Sequence, residues 1–239
     1  MIRFYAPDIL TDFSLPESES GHAVRVLRHS VGDHIEVVDG RGTLYRCTII
    51  GAHPKACALE ITEQIDLPKV WQPSVTIAVA PTKNMDRMEW LVEKLVEIGV
   101  DEFIPVRCAR SERKDLKTER LEKIAVSAMK QSLKAVLPSI RPLTSLKDFL
   151  NEYQGKDAER YVGYCDEATE RRLLAKAYTP GRDAVILIGP EGDFSPEEIA
   201  ACRQAGFVPV TMGDNRLRTE TAALVGCDTF HIINQLHSI

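Results

Sequence analysis

The stretch "VILIGPEGDFSPEEI", residues 185–199, holds an apolar run, a glycine–proline stop and a new helix start. Val185 to Ile188 have the β-branched, fully apolar texture of a strand buried on both faces. Ser195, Pro196, Glu197 and Glu198 form an S-x-x-E capping box with proline at the first helical position, which fixes where the helix begins. Between them, Gly189-Pro190-Glu191-Gly192-Asp193 combines two permissive residues with a stiff one, so the backbone can run close to a neighbour without becoming slack. A strand feeding a capped helix is the repeating unit of a parallel α/β sheet, and such sheets bind ligands beyond the carboxyl ends of their strands. The turn reads equally as a plain connection or as a pocket wall. A triphosphate is disfavoured, because the loop has Glu191 and Asp193 where a phosphate loop has lysine. A nucleoside ligand carrying a cationic group suits the sign better.

The same alternation extends outward from Val75. "VTIAVA", "EFIPV", "RYVGYC", "AVILIG" and "FVPVTMG" read as short buried strands. Between them lie helical patterns. "DRMEWLVEKLVEIG" puts Met88, Leu91, Val92, Leu95 and Ile98 on one face and ends at Gly99, and "TERLEKIAVSAMKQSL" repeats the spacing through Leu121, Ile124, Ala125, Ala128 and Ser132. "TETAALVGCDTFHIINQLHS" is the last helix. Residues 1–70 differ: "HIEVVD", "LYRCTII" and "ACALEITEQI" are β-like runs punctuated by "DGRG" and "GAHP", with a helical insert, "PESESGHAVRVLRHS". The proline-bearing "IDLPKVWQPS" reads as the linker, giving a β-rich domain over residues 1–70 and an α/β domain over residues 71–239.

Composition excludes several classes. The 239 residues are 44% hydrophobic and 27% charged, no apolar run approaches the length of a membrane span, and no secretion leader precedes the first strand, so a cytoplasmic protein is expected. Cys47, Cys57, Cys108, Cys165, Cys202 and Cys227 form no C-x-x-C pair, which argues for reduced, buried thiols rather than zinc or disulfides. No metal site is expected; His22 and His29 have no ligand companion at suitable spacing. A net charge of -5 does not suggest nucleic acid, yet residues 107–147 hold eleven basic residues against four acidic ones. That run reads either as a solvated face with i,i+4 pairs such as Glu119–Lys123, or as an RNA-contact surface.

A second loop after a strand is "MGDNRLRTETAALV", residues 212–225. Thr219 reads as the cap of the last helix and Glu220 as favourable to its dipole. Arg216 and Arg218 sit where the positive end of that dipole makes cations unwelcome unless an anion pairs with them, either a substrate or Glu220 or Asp214.

Taken in order, "GHAVRVLRHSVGDHIEVVDGRG", "KNMDRMEWLVEKLVEIGV", "RSERK", "KQS", "IGPEGDFSPEEI" and "MGDNRLRTETAAL" resemble the RsmE family, S-adenosylmethionine-dependent 16S rRNA uridine-N3 methyltransferases of the SPOUT superfamily, over nearly the whole chain. The resemblance implies a small N-terminal PUA-like β-barrel domain that binds RNA. It also implies a C-terminal SPOUT-type α/β domain with a trefoil knot, and a homodimer acting on 16S rRNA or the assembled small ribosomal subunit. It implies cofactor contacts from Gly189, Pro190, Glu191 and Gly192, from Met212, Gly213, Leu217, Arg218, Thr219, Glu220, Thr221 and Ala222, and from Cys165 in a third loop. Candidate RNA contacts are Arg3, Arg25, Arg28, Lys83, Arg87, Arg110 and Arg113.

Five positions depart from the family pattern. Asp193 stands where the family has a second glycine, though Asp tolerates positive φ better than most residues. Asn215 replaces the first arginine of G-x-R-I-L-R and Arg216 an apolar residue, while Leu133 and Lys134 replace a usual Gly-Arg pair. The chemistry implied is proton loss from uracil N3 as a methyl arrives, with Arg218 expected to stabilise charge on the base and either Glu220 or water to take the proton, Glu220 being otherwise structural. A catalytically dead RNA-binding module, or a relative methylating tRNA or a ribose hydroxyl, are the rival readings; the intact loops argue against the first and "HAVRVLR" against the second.

Overall fold

The computed structural model describes residues 2–113, 115–164 and 171–237. The chain divides into two compact units, Met1–Val70 with Val126–Leu137, and Trp71–Ala125 with Pro138–Ile239.

The first unit begins with β1 (Arg3–Tyr5) and two short helices, α1 (Ile9–Asp12) and α2 (Glu17–Gly21), the latter widening into a π-helical turn at His22–Val26. Then follow β2 (His34–Val38), β3 (Thr43–Gly51) and β4 (Ala58–Asp66), in a sheet ordered β1-β2-β3-β4 whose first pair is parallel and the others antiparallel. Alternate side chains face inward, so Phe4, Val37, Tyr45, Ile49 and Leu59 form the core with Leu15 and Cys57. The "DGRG" turn works as its residues predict: Asp39 Oδ1 accepts from the backbone N–H of Arg41 at 2.8 Å and of Thr43 at 3.1 Å.

Residues 126–137 are tied to this sheet from far along the chain. Leu137 N–H donates to Gly40 O and Gly42 N–H to Ala135 O, both at 2.9 Å, and Lys130 pairs with Glu19 at 2.5 Å. Gly40, at φ 79°, leaves room for this: a Cβ there would lie 3.0 Å from the Tyr5 ring and 3.3 Å from Leu137.

The second unit holds β5 (Val75–Val79), α3 (Met85–Ile98), β6 (Glu102–Arg107), the first half of α4 (Glu119–Gln131), β7 (Ser139–Ile140), β8 (Thr144–Ser145) and α5 (Leu146–Tyr153). These are followed by β9 (Glu159–Gly163), β10 (Arg172–Leu173), α6 (Leu174–Ala177), β11 (Ala184–Ile188), α7 (Pro196–Gln204), β12 (Val208–Thr211) and α8 (Thr219–His237). Among the described residues the strands pair in parallel in the order β10-β12-β9-β11-β5-β6-β7, with β8 also on β6. All five residues of β11 and of β5 are buried. A strand flanked on both edges and covered on both faces needs no polar residue, which is why "AVILI" carries none.

α3 starts at Asn84, whose side chain accepts from Asp86 N–H, and closes at Gly99 with φ 131°. It buries Met88, Leu91, Val92 and Leu95 as expected, but Val96 rather than Ile98. Within "RRLLAKAY", residues 171–178, Arg172 and Leu173 form β10 and Leu174–Ala177 turn as α6. The Glu119–Lys123 pair is not formed; Thr118 Oγ1 donates to Glu122 instead, at 3.0 Å. Cys47, Cys57, Cys108, Cys202 and Cys227 are free and buried, and burial pushes the Cys47 thiol up to about 11 and Cys202 up to about 12. Cys165 lies outside the described residues. No described helix is long and apolar enough to cross a membrane.

Candidate functional site

Parallel register decides where the loops meet. Ile188, the last residue of β11, lies opposite Gly163, the last of β9, and Gly163 lies opposite Val210 in β12. Three adjacent strands therefore end together, and described residues that follow them, among them Tyr164, Gly189 and Met212, line one cleft of about 860 Å³ in the second unit. That size falls within the roughly 300–1,000 Å³ common to small-molecule sites.

The loop at residues 189–195 forms one wall. Gly189 is required by packing as much as by any ligand, since a Cβ there would come within 2.7 Å of the buried Phe194 ring. Asp193 adopts φ 61°, in the left-handed region that favours glycine, and its Oδ1 accepts from Phe194 N–H at 2.8 Å. The capping box is present: Ser195 N–H donates to Glu198 Oε2 at 2.9 Å and Glu198 N–H to Ser195 Oγ at 3.3 Å. Glu198 Oε1 also accepts from Ala109 N–H at 2.7 Å, and Arg110 donates to Gly192 O at 3.1 Å, which ties the loop after β6 to the one after β11.

The loop at residues 212–218 forms the opposite wall, with Gly213 at φ 143°. Thr219 does not cap α8. It is the first residue of that helix, buried, and its hydroxyl donates to Gly189 O at 3.2 Å, so it fastens the two walls together.

Of the residues expected at the cofactor, Gly189, Pro190, Glu191, Met212, Gly213, Leu217, Arg218, Thr219 and Ala222 line the cleft. Gly192 and Thr221 do not: Gly192 packs beside Arg110, and Thr221 lies two residues from Thr219, on another side of α8, whereas Thr219 and Ala222 share a face at i,i+3. Gly163, Tyr164, Arg171 and Thr211, which no sequence motif singles out, also line it, as does Asp214. The signal for Gly163 was a glycine ending a buried strand: a Cβ there would meet Ile188 at 2.9 Å and Met212 at 3.3 Å.

The charges around the cleft are mixed: Arg87, Arg171, Arg216 and Arg218 against Glu191, Asp193 and Asp214. The pairing differs from expectation. Glu220 is buried, does not line the cleft, and faces Arg87, whose Nε lies 3.7 Å from Glu220 Oε1 and whose Nη1 donates to Glu191 Oε1 at 3.3 Å. Arg216 and Arg218 are exposed and have no protein partner among the described residues: Glu220 is taken by Arg87, and Asp214 pairs with neither.

The other expected RNA contacts are scattered. Arg25 and Arg28 are exposed in the first unit, Arg28 with φ 59°. Arg3 is spent internally, donating to Glu36 at 3.2 Å and to Leu133 O with only about a tenth of its side chain exposed, so it drops out of the set. In the second unit Lys83 pairs with Glu112 at 3.2 Å and Arg113 donates to Lys83 O at 2.8 Å. No group of three or more His, Cys, Asp or Glu among the described residues is placed to hold a metal ion.

The second unit is thus a parallel α/β sheet with a strand-end cleft of mixed charge, and the first a small β-rich unit. Residues 70–231 match the family model described as the RNA methyltransferase domain, and residues 15–62 match the RNA methyltransferase PUA domain. Ribosomal RNA small subunit methyltransferase E of Mycobacterium bovis is 32% identical over 216 residues, covering 87% of this chain and 81% of that protein. The chain belongs to the ribosomal RNA small subunit methyltransferase E family. Among solved structures, a probable rRNA-methyltransferase from Porphyromonas gingivalis is 45% identical with a TM-score of 0.92, over 99% of this chain and 100% of that one. Ribosomal RNA small subunit methyltransferase E from Neisseria gonorrhoeae, bound to S-adenosyl methionine, is 26% identical with a TM-score of 0.85 over 98% of both chains.

Proposed function

We propose that this chain is an S-adenosylmethionine-dependent methyltransferase that modifies N3 of one uridine in 16S rRNA. It works in the cytoplasm, as a homodimer, on the rRNA or the assembled small subunit. The observation that carries this reading is the meeting of the 189–195 and 212–218 loops around one mixed-charge cleft. Its lining suits the cofactor chemically: Ile188, Met212, Leu217 and Ala222 offer apolar surface to a nucleoside, and carboxylates beside arginines suit a sulfonium and a zwitterionic amino acid. Residues 71–239 are read as a SPOUT domain threaded into a trefoil knot, and residues 1–70 as a PUA-like RNA-binding barrel. Arg25, Arg28, Lys83, Arg110 and Arg113 are offered as RNA contacts.

When bound, the cofactor supplies an electrophilic methyl group, whose bond to sulfur breaks as a bond to N3 forms and the N3 proton leaves. N3 lies on the Watson–Crick edge, so the protein must receive the uridine unpaired. Arg218, exposed at the cleft beside the start of α8, is placed to stabilise negative charge growing on a uracil oxygen. Glu220 is not the proton acceptor, because it is buried and faces Arg87 rather than the cleft; water takes the proton. Positioning does the remainder, with no covalent nucleophile.

The test is methyl transfer to small subunits lacking the modification, with nucleoside mass spectrometry of the digested RNA. Appearance of 3-methyluridine is expected. A 2′-O-methylated nucleoside, or modification of tRNA alone, would replace this reading with that of a different enzyme of the superfamily. The Arg218→Ala variant should lose about 100-fold or more in kcat; full activity would remove Arg218 from the mechanism.

A further inference from the structure

Arg87 is held unlike any other cation of the cleft. Its guanidinium stands between two carboxylates from different parts of the chain: Glu191 on the 189–195 loop, 3.3 Å from Nη1, and Glu220 in the first turn of α8, 3.7 Å from Nε. Glu220 is only 8% exposed at its side chain, and its second oxygen, Oε2, is buried without a hydrogen-bond partner among the described residues. Keeping a buried carboxylate half unsatisfied is costly. A stability role alone does not account for it, since an apolar side chain at the start of α8 would avoid the penalty. What the arrangement achieves is orientation. With Nε and Nη1 directed at carboxylates, the planar fork leaves Nη2 with no protein partner among the described residues, on a side chain that lines the cleft.

Resting on the methyltransferase reading above, we infer that Arg87 receives an anionic oxygen in the cleft and that Glu220 is a positioning residue acting through it rather than a base. The oxygen is either the carboxylate of the cofactor's amino-acid end or the oxygen of uracil that gains charge as N3 loses its proton. Both call for the same donor, a preorganised, partly desolvated guanidinium. Arg216 and Arg218, which are exposed and unpaired, have no such restraint.

The experiment compares wild type with Arg87→Gln, Arg87→Lys, Glu220→Gln and the Arg87→Gln/Glu220→Gln double variant, all first checked for unchanged melting. Binding of S-adenosylmethionine and of decarboxylated S-adenosylmethionine is measured by calorimetry without RNA, and kcat and KM are measured on small subunits. Arg87→Gln is expected to lose roughly ten-fold or more in one of two ways. Loss of affinity for S-adenosylmethionine but not for its decarboxylated analogue identifies the cofactor carboxylate; loss of kcat with affinity intact identifies the uracil oxygen. Either way Arg87→Lys recovers part of the loss, Glu220→Gln loses less than Arg87→Gln, and the double variant is no worse than Arg87→Gln alone. Changes within two-fold for Arg87→Gln in both measurements would overturn the inference. So would losses that multiply in the double variant, since independent action by Glu220 would make them do so. The calorimetric arm needs no RNA, so a wild type that binds cofactor yet leaves the subunit unmethylated would sink the substrate reading while still testing Arg87.

Discussion

Leu133 shows what one residue's backbone costs. It adopts φ 56° and leaves half its side chain in solvent. An L-residue in the left-handed region is disfavoured by roughly 1–2 kcal/mol, and little buried apolar surface offsets that here. Leu133→Gly should therefore raise stability by up to about 1 kcal/mol after the greater unfolded-state freedom of glycine is counted, read as a shift in the urea midpoint. A lower midpoint would mean that the Leu133 side chain contributes packing that exceeds its backbone strain. Asp193 is the milder case. The same left-handed backbone is tolerated because its carboxylate bonds the next N–H. The sequence carried that clue, since Asp is one of the few residues that enter this region readily.

At the scale of elements, α7 is the helix most completely written in local sequence. Its proline, its serine cap and the reciprocal glutamate all act within four residues. Ser195→Ala should cost about 1 kcal/mol, measured by denaturant unfolding; a change under a few tenths would mean that Glu198 holds the turn unaided. The join between β6 and α5 was not legible in the same way. Arg141 bonds Glu102 of β6 at 2.9 Å and Glu152 of α5 at 3.1 Å, an arrangement no local pattern announces. The Arg141 hydrogen bonds hold the Glu152 carboxyl below its ordinary value of 4.5. A lowered folded-state pKa contributes stability that is present above that ordinary value and is lost as pH falls through the folded one. The gap in melting temperature between wild type and Glu152→Gln should thus be open at neutral pH and close below about pH 4.5. The gap stays small, under about 1 kcal/mol, because the pair is partly exposed and screened. A gap that persisted in acid would exclude the ion pair as its source.

For the whole molecule, net charge is a poor guide to the partner. The chain carries -5, yet part of the basic stretch at residues 107–147 remains available. Arg110, Arg120, Lys130 and Arg141 are engaged with protein groups, whereas Arg107, Lys117, Lys123 and Lys147 have no such partner among the described residues. Binding to small subunits should weaken steeply with salt, by roughly 0.7–0.9 log units per log unit of salt for each phosphate contacted. Lys117→Glu with Lys123→Glu should flatten that slope and leave S-adenosylmethionine binding alone. An unchanged slope would place the RNA contacts elsewhere.

The alternation of buried strands and capped helices, the closure of α3 at Gly99, the asparagine-free "DGRG" turn and the capping box of α7 were all set by the chain itself, because each rests on residues within a turn or two of one another. Nine of the thirteen residues that the resemblance implied at the cofactor line one cleft, since motifs at strand ends travel with the strands. Only the tertiary structure decided the partners of the charges and the use of polar groups. Thr219 fastens a distant loop instead of capping its helix, Glu220 turns to Arg87 instead of Arg218, and residues 126–137 pack with the first sheet. Hydrophobic periodicity fixes which face of an element is buried. Which carboxylate meets which guanidinium depends on strand order and register, and those are not properties of any local stretch.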